Sequence, residues 1–397
     1  MREQINKAMR AHLLRSVLIL PALLALCVIP LGVAQRAGNT LFVPEGGCPG
    51  PWQLVADMPV ELVGAAGASD GIFSYHAGGF NFTSGTLDIL NGYDPATETW
   101  IPLASMLQAT AAASAVYYLP NNEIYVFGGV DPDSGIVYDT TQVYDIDSNT
   151  WTLRTPMPGV RFAMASGYNS TNGKIYLVSG YSAYSASSAQ ADTWEYDPVA
   201  DTFTPKTDFP HPAGGTASGV INGHLYVAGG RDAANVVLDL VWDYDIGTDT
   251  WTQRNNMPSG ENYAPGSAVA LNNLWVFGGG STDVPPPPRS DSAEAVFAST
   301  NAAFSRLVGK GEHPIPDVVN TGMRYDPAND TWSIIPDMIV LRAFPSGTAI
   351  QNKLIAAGGF DGNVFVVSTE VLDACIPGVR VPPTPRPRPT PRPRPTP

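Results

Sequence analysis

Tyr-Asp followed by an aromatic ring seven residues after the tyrosine recurs five times in this chain, always in the same phase. The pairs are Tyr93 and Trp100, Tyr144 and Trp151, Tyr196 and Phe203, Tyr244 and Trp251, and Tyr325 and Trp332. Self-similarity at a period near fifty residues means a repeat architecture. A second landmark keeps step with it. A glycine pair, once Ser-Gly, ends an apolar run: Gly78-Gly79, Gly128-Gly129, Ser179-Gly180, Gly229-Gly230, Gly278-Gly279 and Gly358-Gly359.

The apolar runs, such as Ile124 to Phe127 and Leu274 to Phe277, are β-branched or aromatic and too short for helices, so they read as strands. Upstream of each lies a run of small residues, for example Ala111 to Ala115 and Gly215 to Val220. Tyr-Asp-Pro at Tyr93, Tyr196 and Tyr325 marks a strand end entering a turn. The Trp opens a further strand that runs to Met-Pro at Met58, Met157 and Met257. Four short strands per unit and six glycine pairs predict an all-β, six-bladed β-propeller of four-stranded antiparallel blades. The small-residue strand suits the crowded position at the axis.

Double glycine, Tyr-Asp, Trp and Met-Pro in this order resemble the kelch repeat over about residues 48–376. Phe203 for Trp, Ser179 for Gly and Leu372 for Tyr depart from it. Trp52 has no Tyr-Asp before it, and Leu372-Asp373 has no Trp after it. The two halves complement each other, so the N-terminal strand is expected to complete blade six. Aligning the copies sets Cys48 and Cys375 level, which predicts a disulfide across the seam. Two unpaired thiols are the alternative.

Residues 1–34 carry four bases, an apolar stretch from Val17 to Leu31, and Gly32-Val33-Ala34, the layout of a secretory signal. An uncleaved N-terminal anchor is the alternative and the only expected membrane contact. Residues 35–47 form a linker. Beyond Ile376, residues 377–397 form a Pro/Arg-rich tail that favours polyproline II and cannot build a core. The tail reads as an exposed spacer or as a cationic tether to acidic envelope polymer. The chain carries a formal charge of −14, and removing the basic head and tail makes its middle more acidic still. Nucleic acid is therefore excluded as a partner. An extracellular or envelope location is expected.

One unit is irregular. From Gly279 to Tyr325 the usual short loop is replaced by an insertion, residues 282–320 of blade five. Asp291-Ser292-Ala293-Glu294 resembles a capping box, and Val296, Phe297, Ala303, Phe304, Leu307 and Val308 recur at helical spacing. They predict a helix over about 292–308, as a lid on the ligand face or as an ornament on the propeller side.

No catalytic signature emerges. His12, His76, His211, His224 and His313 stand at no metal-ligand spacing, and no nucleophile elbow or phosphate loop occurs. No cofactor and no catalytic set is expected. Asp131-Pro132-Asp133-Ser134-Gly135 reads as a solvated turn rather than a cation loop. Three residues past Met-Pro, where kelch repeats often carry Arg, stand Leu62, Thr110, Arg161, Ala213, Glu261 and Arg342. Arg161, Arg342 and Glu261, with Arg231, Tyr263, Tyr181 and Asp361 from neighbouring loops, are the candidate binding face. Bracing the blades is the alternative role for the two arginines. The expected function is an exported, non-catalytic binding module for a protein or glycan. The alternative is a sugar-active enzyme, on a weaker similarity to bacterial sialic acid mutarotases.

Overall fold

The computed structural model describes residues 49–258, 263–280, 318–362 and 364–376. The head, the linker, Cys48, Glu261, the predicted helix and the tail lie outside the described residues, as does all of the insertion before residue 318. Six four-stranded antiparallel sheets form the six blades of a propeller. Blade I holds Ala66–Ser69, Ser74–Ala77, Leu90–Asp94 and Thr99–Pro102 from the axis outward. Blades II to V repeat this order, from Ser114–Tyr118 in blade II to Thr331–Ile335 in blade V.

Blade VI is closed as the split repeat predicts. Its strands Ser346–Ile350, Lys353–Ala357 and Thr369–Asp373 accept Gln53–Leu54 as the outer strand. Gln53 pairs with Val371 and Leu54 with Glu370. Trp52 thereby faces Leu372 just as Trp151 faces Tyr144.

The four strand positions differ in composition because they differ in surroundings. The second strands are buried on both faces and carry unbroken apolar runs such as Ile124 to Phe127. The innermost strands alternate buried and half-buried positions and hold small residues. The outermost strands are largely exposed.

The repeated side chains join blade to blade. The indole of each described repeat Trp donates to a carbonyl of the preceding blade: Trp52 to Pro336, Trp100 to Ala56, Trp151 to Ala104, Trp251 to Thr207 and Trp332 to Asn255, at 2.8–3.0 Å. The hydroxyls of Tyr144, Tyr196, Tyr244 and Tyr325 donate to Asn149, Asp201, Asp249 and Asp330, five residues on, at 2.6–2.7 Å. Those four acceptors also receive a backbone N–H from the preceding blade, at Ala104, Thr155, Thr207 and Asn255.

The glycine pairs act at the same junctions. The second glycine N–H donates to the next blade: Gly79 to Thr110, Gly129 to Arg161, Gly180 to Ala213, Gly279 to Arg342 and Gly359 to Leu62. At Gly128 the backbone is left-handed, and a Cβ would collide with the Arg161 carbonyl. Ser179 fills that position in blade III at φ 59°. Its hydroxyl donates to the Ala213 carbonyl and accepts the Ala213 N–H, so the polar side chain replaces the missing clearance.

Phe203 provides the test of the indole tie, since a phenyl ring has no donor for the Thr155 carbonyl. Phe203→Trp is expected to raise the free energy of unfolding in urea, and Trp251→Phe to lower it, each by about 1 kcal/mol, read as a midpoint shift at constant m. Shifts of equal sign in both variants would contradict the tie.

Candidate functional site

Antiparallel order places the loops between second and third strands at the same end of the disc as the blade-to-blade loops. Six residues form a closed hydrogen-bonded ring at this end. Ala112 donates to Gly64, Ala163 to Ala112, Gly215 to Ala163, Ala264 to Gly215, Phe344 to Ala264, and Gly64 back to Phe344, at 2.7–3.1 Å. All six have φ between 49° and 68°. Phe344 is the one bulky member of the ring, and with Tyr184 it borders a small apolar gap lined by Val63, Ala111, Val130 and Phe162. A separate axial cavity of about 200 Å³ is lined by the innermost strands, including Ser166, Ser218, Ser267 and Ser346.

The arginines after Met-Pro do not face this end. Arg342 is fully buried. Its guanidinium donates to Glu370 at 2.6 Å, to the carbonyls of Gly358 and Ser368, and to the Ser368 hydroxyl at 2.9 Å. Glu370 also accepts the N–H of Ile339 and Val340. Burial pushes the Arg342 guanidinium below its usual range, against the pull of Glu370. Arg161 is buried too, paired with Asp192, bonded to the Val160 carbonyl and stacked 5.0 Å over Trp194. Leu62, Thr110 and Ala213, the other described members of this position, are all buried. The expectation that this position has diverged to face ligands is therefore corrected. Its constant part is the backbone carbonyl that takes the glycine N–H, and both arginines brace blades.

Arg231, Tyr263 and Tyr181 do come together. The Arg231 guanidinium lies 3.9 Å over the Tyr263 ring, and the Tyr181 hydroxyl donates to the Arg231 carbonyl at 2.8 Å. All three are buried, and burial pushes both phenol hydroxyls above their usual range. Tyr181 also packs on Phe162, so the group ties blades III, IV and V beneath the loop face rather than offering open side chains. Asp361 caps its own loop by accepting the Val364 N–H at 2.8 Å. Glu261 lies outside the described residues.

His224 and the acidic loop take structural parts. His224 bonds Asp243 at 2.8 Å, which also holds Arg254. Asp131 accepts the Asp133 N–H and the Ser134 and Thr86 hydroxyls, which makes the solvated turn of the sequence reading. Among the described residues no group of three His, Cys, Asp or Glu could hold a metal ion. Sequence reasoning missed Glu370 and Asp192, the carboxylates that claim the two arginines. The signal was available in part, because an acidic residue within a buried third strand needs a cationic partner.

The Attractin/LZTR1 beta-propeller family profile matches residues 75–284. Kelch-like protein terF of Aspergillus terreus is 25% identical over 276 residues, covering 61% of this chain and 59% of that protein. Human Kelch-like protein 23 is 28% identical over 214 residues, covering 50% and 37%. Alpha-scruin of Limulus polyphemus is 25% identical over 258 residues, covering 62% and 25%. The chain thus spans from a quarter to three fifths of the lengths of these relatives. A solved structure, that of YjhT, superposes with a TM-score of 0.63 at 16% identity, covering 79% of this chain and 95% of that one. At that identity the likeness is one of fold. The profile match, the kelch relatives and the six blades agree: this chain belongs to the Attractin/LZTR1 β-propeller family, as a kelch-repeat propeller.

Proposed function

We propose that this chain is an exported, non-catalytic module that presents its loop face to a partner, a protein in the first instance and a glycan in the second. One observation carries the reading: the loop end exposes apolar side chains on an otherwise braced scaffold. Phe82, Ile136, Val236 and Val364 sit on the second-to-third-strand loops of blades I, II, IV and VI, and are 38–56% exposed. Leu107, Ile339 and Leu341 add to them from the blade-to-blade loops. The opposite end also exposes Ile72, Leu119 and Val199, but singly on three turns, whereas seven apolar side chains share the loop end, the denser patch an interaction site needs. The sugar-enzyme reading needs a free arginine for a substrate carboxylate. Arg161 and Arg342 already hold protein carboxylates, which supports binding over that chemistry.

Export is supported by the leader-like head and agrees with the disulfide proposed for Cys375. We assign its partner as Cys48, so that the bond pins the strand that closes blade VI. The Pro/Arg tail is proposed as a spacer or tether to acidic envelope polymer.

Three outcomes are expected. A photo-crosslinking side chain at Ile136 or Val364 captures the partner in the native envelope, and one at Val199, on the opposite end, does not. Capture from Val199 alone would reverse the assignment of the face. Glu370→Ala costs about 3–5 kcal/mol in chemical denaturation, because it strands a buried guanidinium. Where partner affinity can be measured on the folded fraction, it stays unchanged. A drop in affinity without a drop in stability would return Arg342 to the binding site. Thiol titration of the unfolded, unreduced mature protein finds no reactive thiol, whereas two would rule out the Cys48–Cys375 bond.

A further inference from the structure

The six blade junctions are not equal. The Tyr-to-Asx tie joins blades I to II, II to III, III to IV and IV to V. It fails on both sides of blade VI. Blade VI carries Leu372 in place of the tyrosine, and blade I carries Glu98 in place of the acceptor, which leaves the buried Tyr93 hydroxyl without a partner. Blade VI is also the blade assembled from both ends of the described chain, and its outer strand has only two residues.

At the junction of blades VI and I, other chemistry stands in. His76 of blade I is fully buried. Its Nδ1 lies 2.7 Å from the Ser346 hydroxyl of blade VI, and its Nε2 lies 2.7 Å from the Ser74 hydroxyl of its own strand. Ser74 in turn lies 2.6 Å from the Thr348 hydroxyl of blade VI. The chain Ser346, His76, Ser74 and Thr348 therefore crosses the junction twice. Around the imidazole stand neutral groups. Trp100 packs 5.0 Å away, and Asn91 pairs with His76 in the adjacent strand. The carboxylates of the elements packed on it, Asp70 and Asp94, sit at the turn ends and bond the Phe73 and Ala96 N–H groups instead. Lys353, beyond the end of Ser346–Ile350, is paired with Asp373. Glu370, in the same blade, is taken by Arg342. An imidazolium here would meet hydroxyls and an indole but no counter-ion. The cavity lined by Ser346 and Gly67 lies directly beside it and offers the nearest route to water.

We propose that the junction of blades VI and I is an acid-operated latch, opened when His76 takes up a proton and must reach water. The other junctions hold, because the indole, Tyr-to-Asx and arginine ties described for them contain no histidine. Neutral His76 keeps the latch shut. Burial pushes its pKa from 6.5 down to about 3. Closed junctions therefore exclude the proton that open ones accept, and closure weakens as pH falls from 6.5 towards 3. Two units below the open-state value, the opening constant rises roughly a hundredfold.

Hydrogen exchange of the full chain, corrected for the intrinsic pH dependence of exchange, reads this out between pH 7 and pH 4.5. Protection at the Gly64 and Gly359 amides, which bond Phe344 and Leu62 across this junction, is expected to fall by one to two orders of magnitude. The inner strands of blades II to IV keep theirs. His76→Gln retains an amide donor and acceptor without a titratable group, and is expected to abolish the acid response. Uniform loss across all blades, no loss at the junction of blades VI and I, or an unchanged response in His76→Gln would each overturn the latch. If that variant does not fold, the ring-proton titration of His76 in the wild type decides. A midpoint that coincides with opening of this junction supports the latch, and one that does not overturns it.

Discussion

The ring of six backbone hydrogen bonds around the axis is the constraint on which the propeller depends. Each N–H reaches the carbonyl of the preceding blade, and Gly64 closes the circle on Phe344. Such a circuit forms only if all six residues adopt the left-handed region, a strain of roughly 1–2 kcal/mol for each that is not glycine. Four of them are not: Ala112, Ala163, Ala264 and Phe344. The strain persists because every other tie at a junction holds the loop in the same place. The glycine N–H reaches across to the carbonyl two residues before the ring position, and the indole and Tyr-to-Asx bonds act further out. Closure is thus cooperative across radius as well as around the circle.

This division of labour explains why the position after Met-Pro was misread. Leu62, Thr110, Arg161, Ala213 and Arg342 share no side-chain chemistry, and such variation reads as freedom to meet ligands. Their shared duty is carried by the main chain, which accepts the glycine N–H whatever the side chain is. The side chain then fills a buried gap whose shape differs at each junction. Thr110 bonds the Gly128 carbonyl, Arg161 stacks on Trp194, and Arg342 reaches Glu370. A constraint borne by backbone atoms leaves no residue signature, so periodicity could not reveal it.

What was legible follows the same logic from the other side. The Trp indole, the Tyr hydroxyl and the glycine φ are side-chain requirements, so they recur in phase and yield six blades, the small-residue inner strands and the seam. Even Phe203 and Ser179 were visible as exceptions, though only coordinates reveal that Ser179 repairs its own departure through Ala213. Arg231, Tyr263 and Tyr181 were expected on a binding face with four other residues, and the structure brings these three into contact. Their burial was not legible, because burial there depends on Phe162 and Ala264 from different blades.

The acidity of the chain also acquires a cause. Asp94, Asp145, Asp197, Asp245 and Asp326 each accept backbone N–H groups within the turn between third and fourth strands. Asp201, Asp249 and Asp330 form the next set, holding a Tyr hydroxyl and a neighbouring blade's N–H. Hydrogen bonds from Ser148 hold Asp145 below the usual carboxylate range, and the Lys174 ammonium does the same for Asp197. The repeat therefore accumulates charge at one end of the disc as a condition of folding. That charge predicts solubility and carries no information about a cationic partner. The loop end carries fewer such carboxylates, Asp131, Asp232 and Asp361 capping their own loops, and it is where Phe82, Ile136, Val236 and Val364 reach solvent. Selection for a partner can act there without disturbing the ties that close the ring.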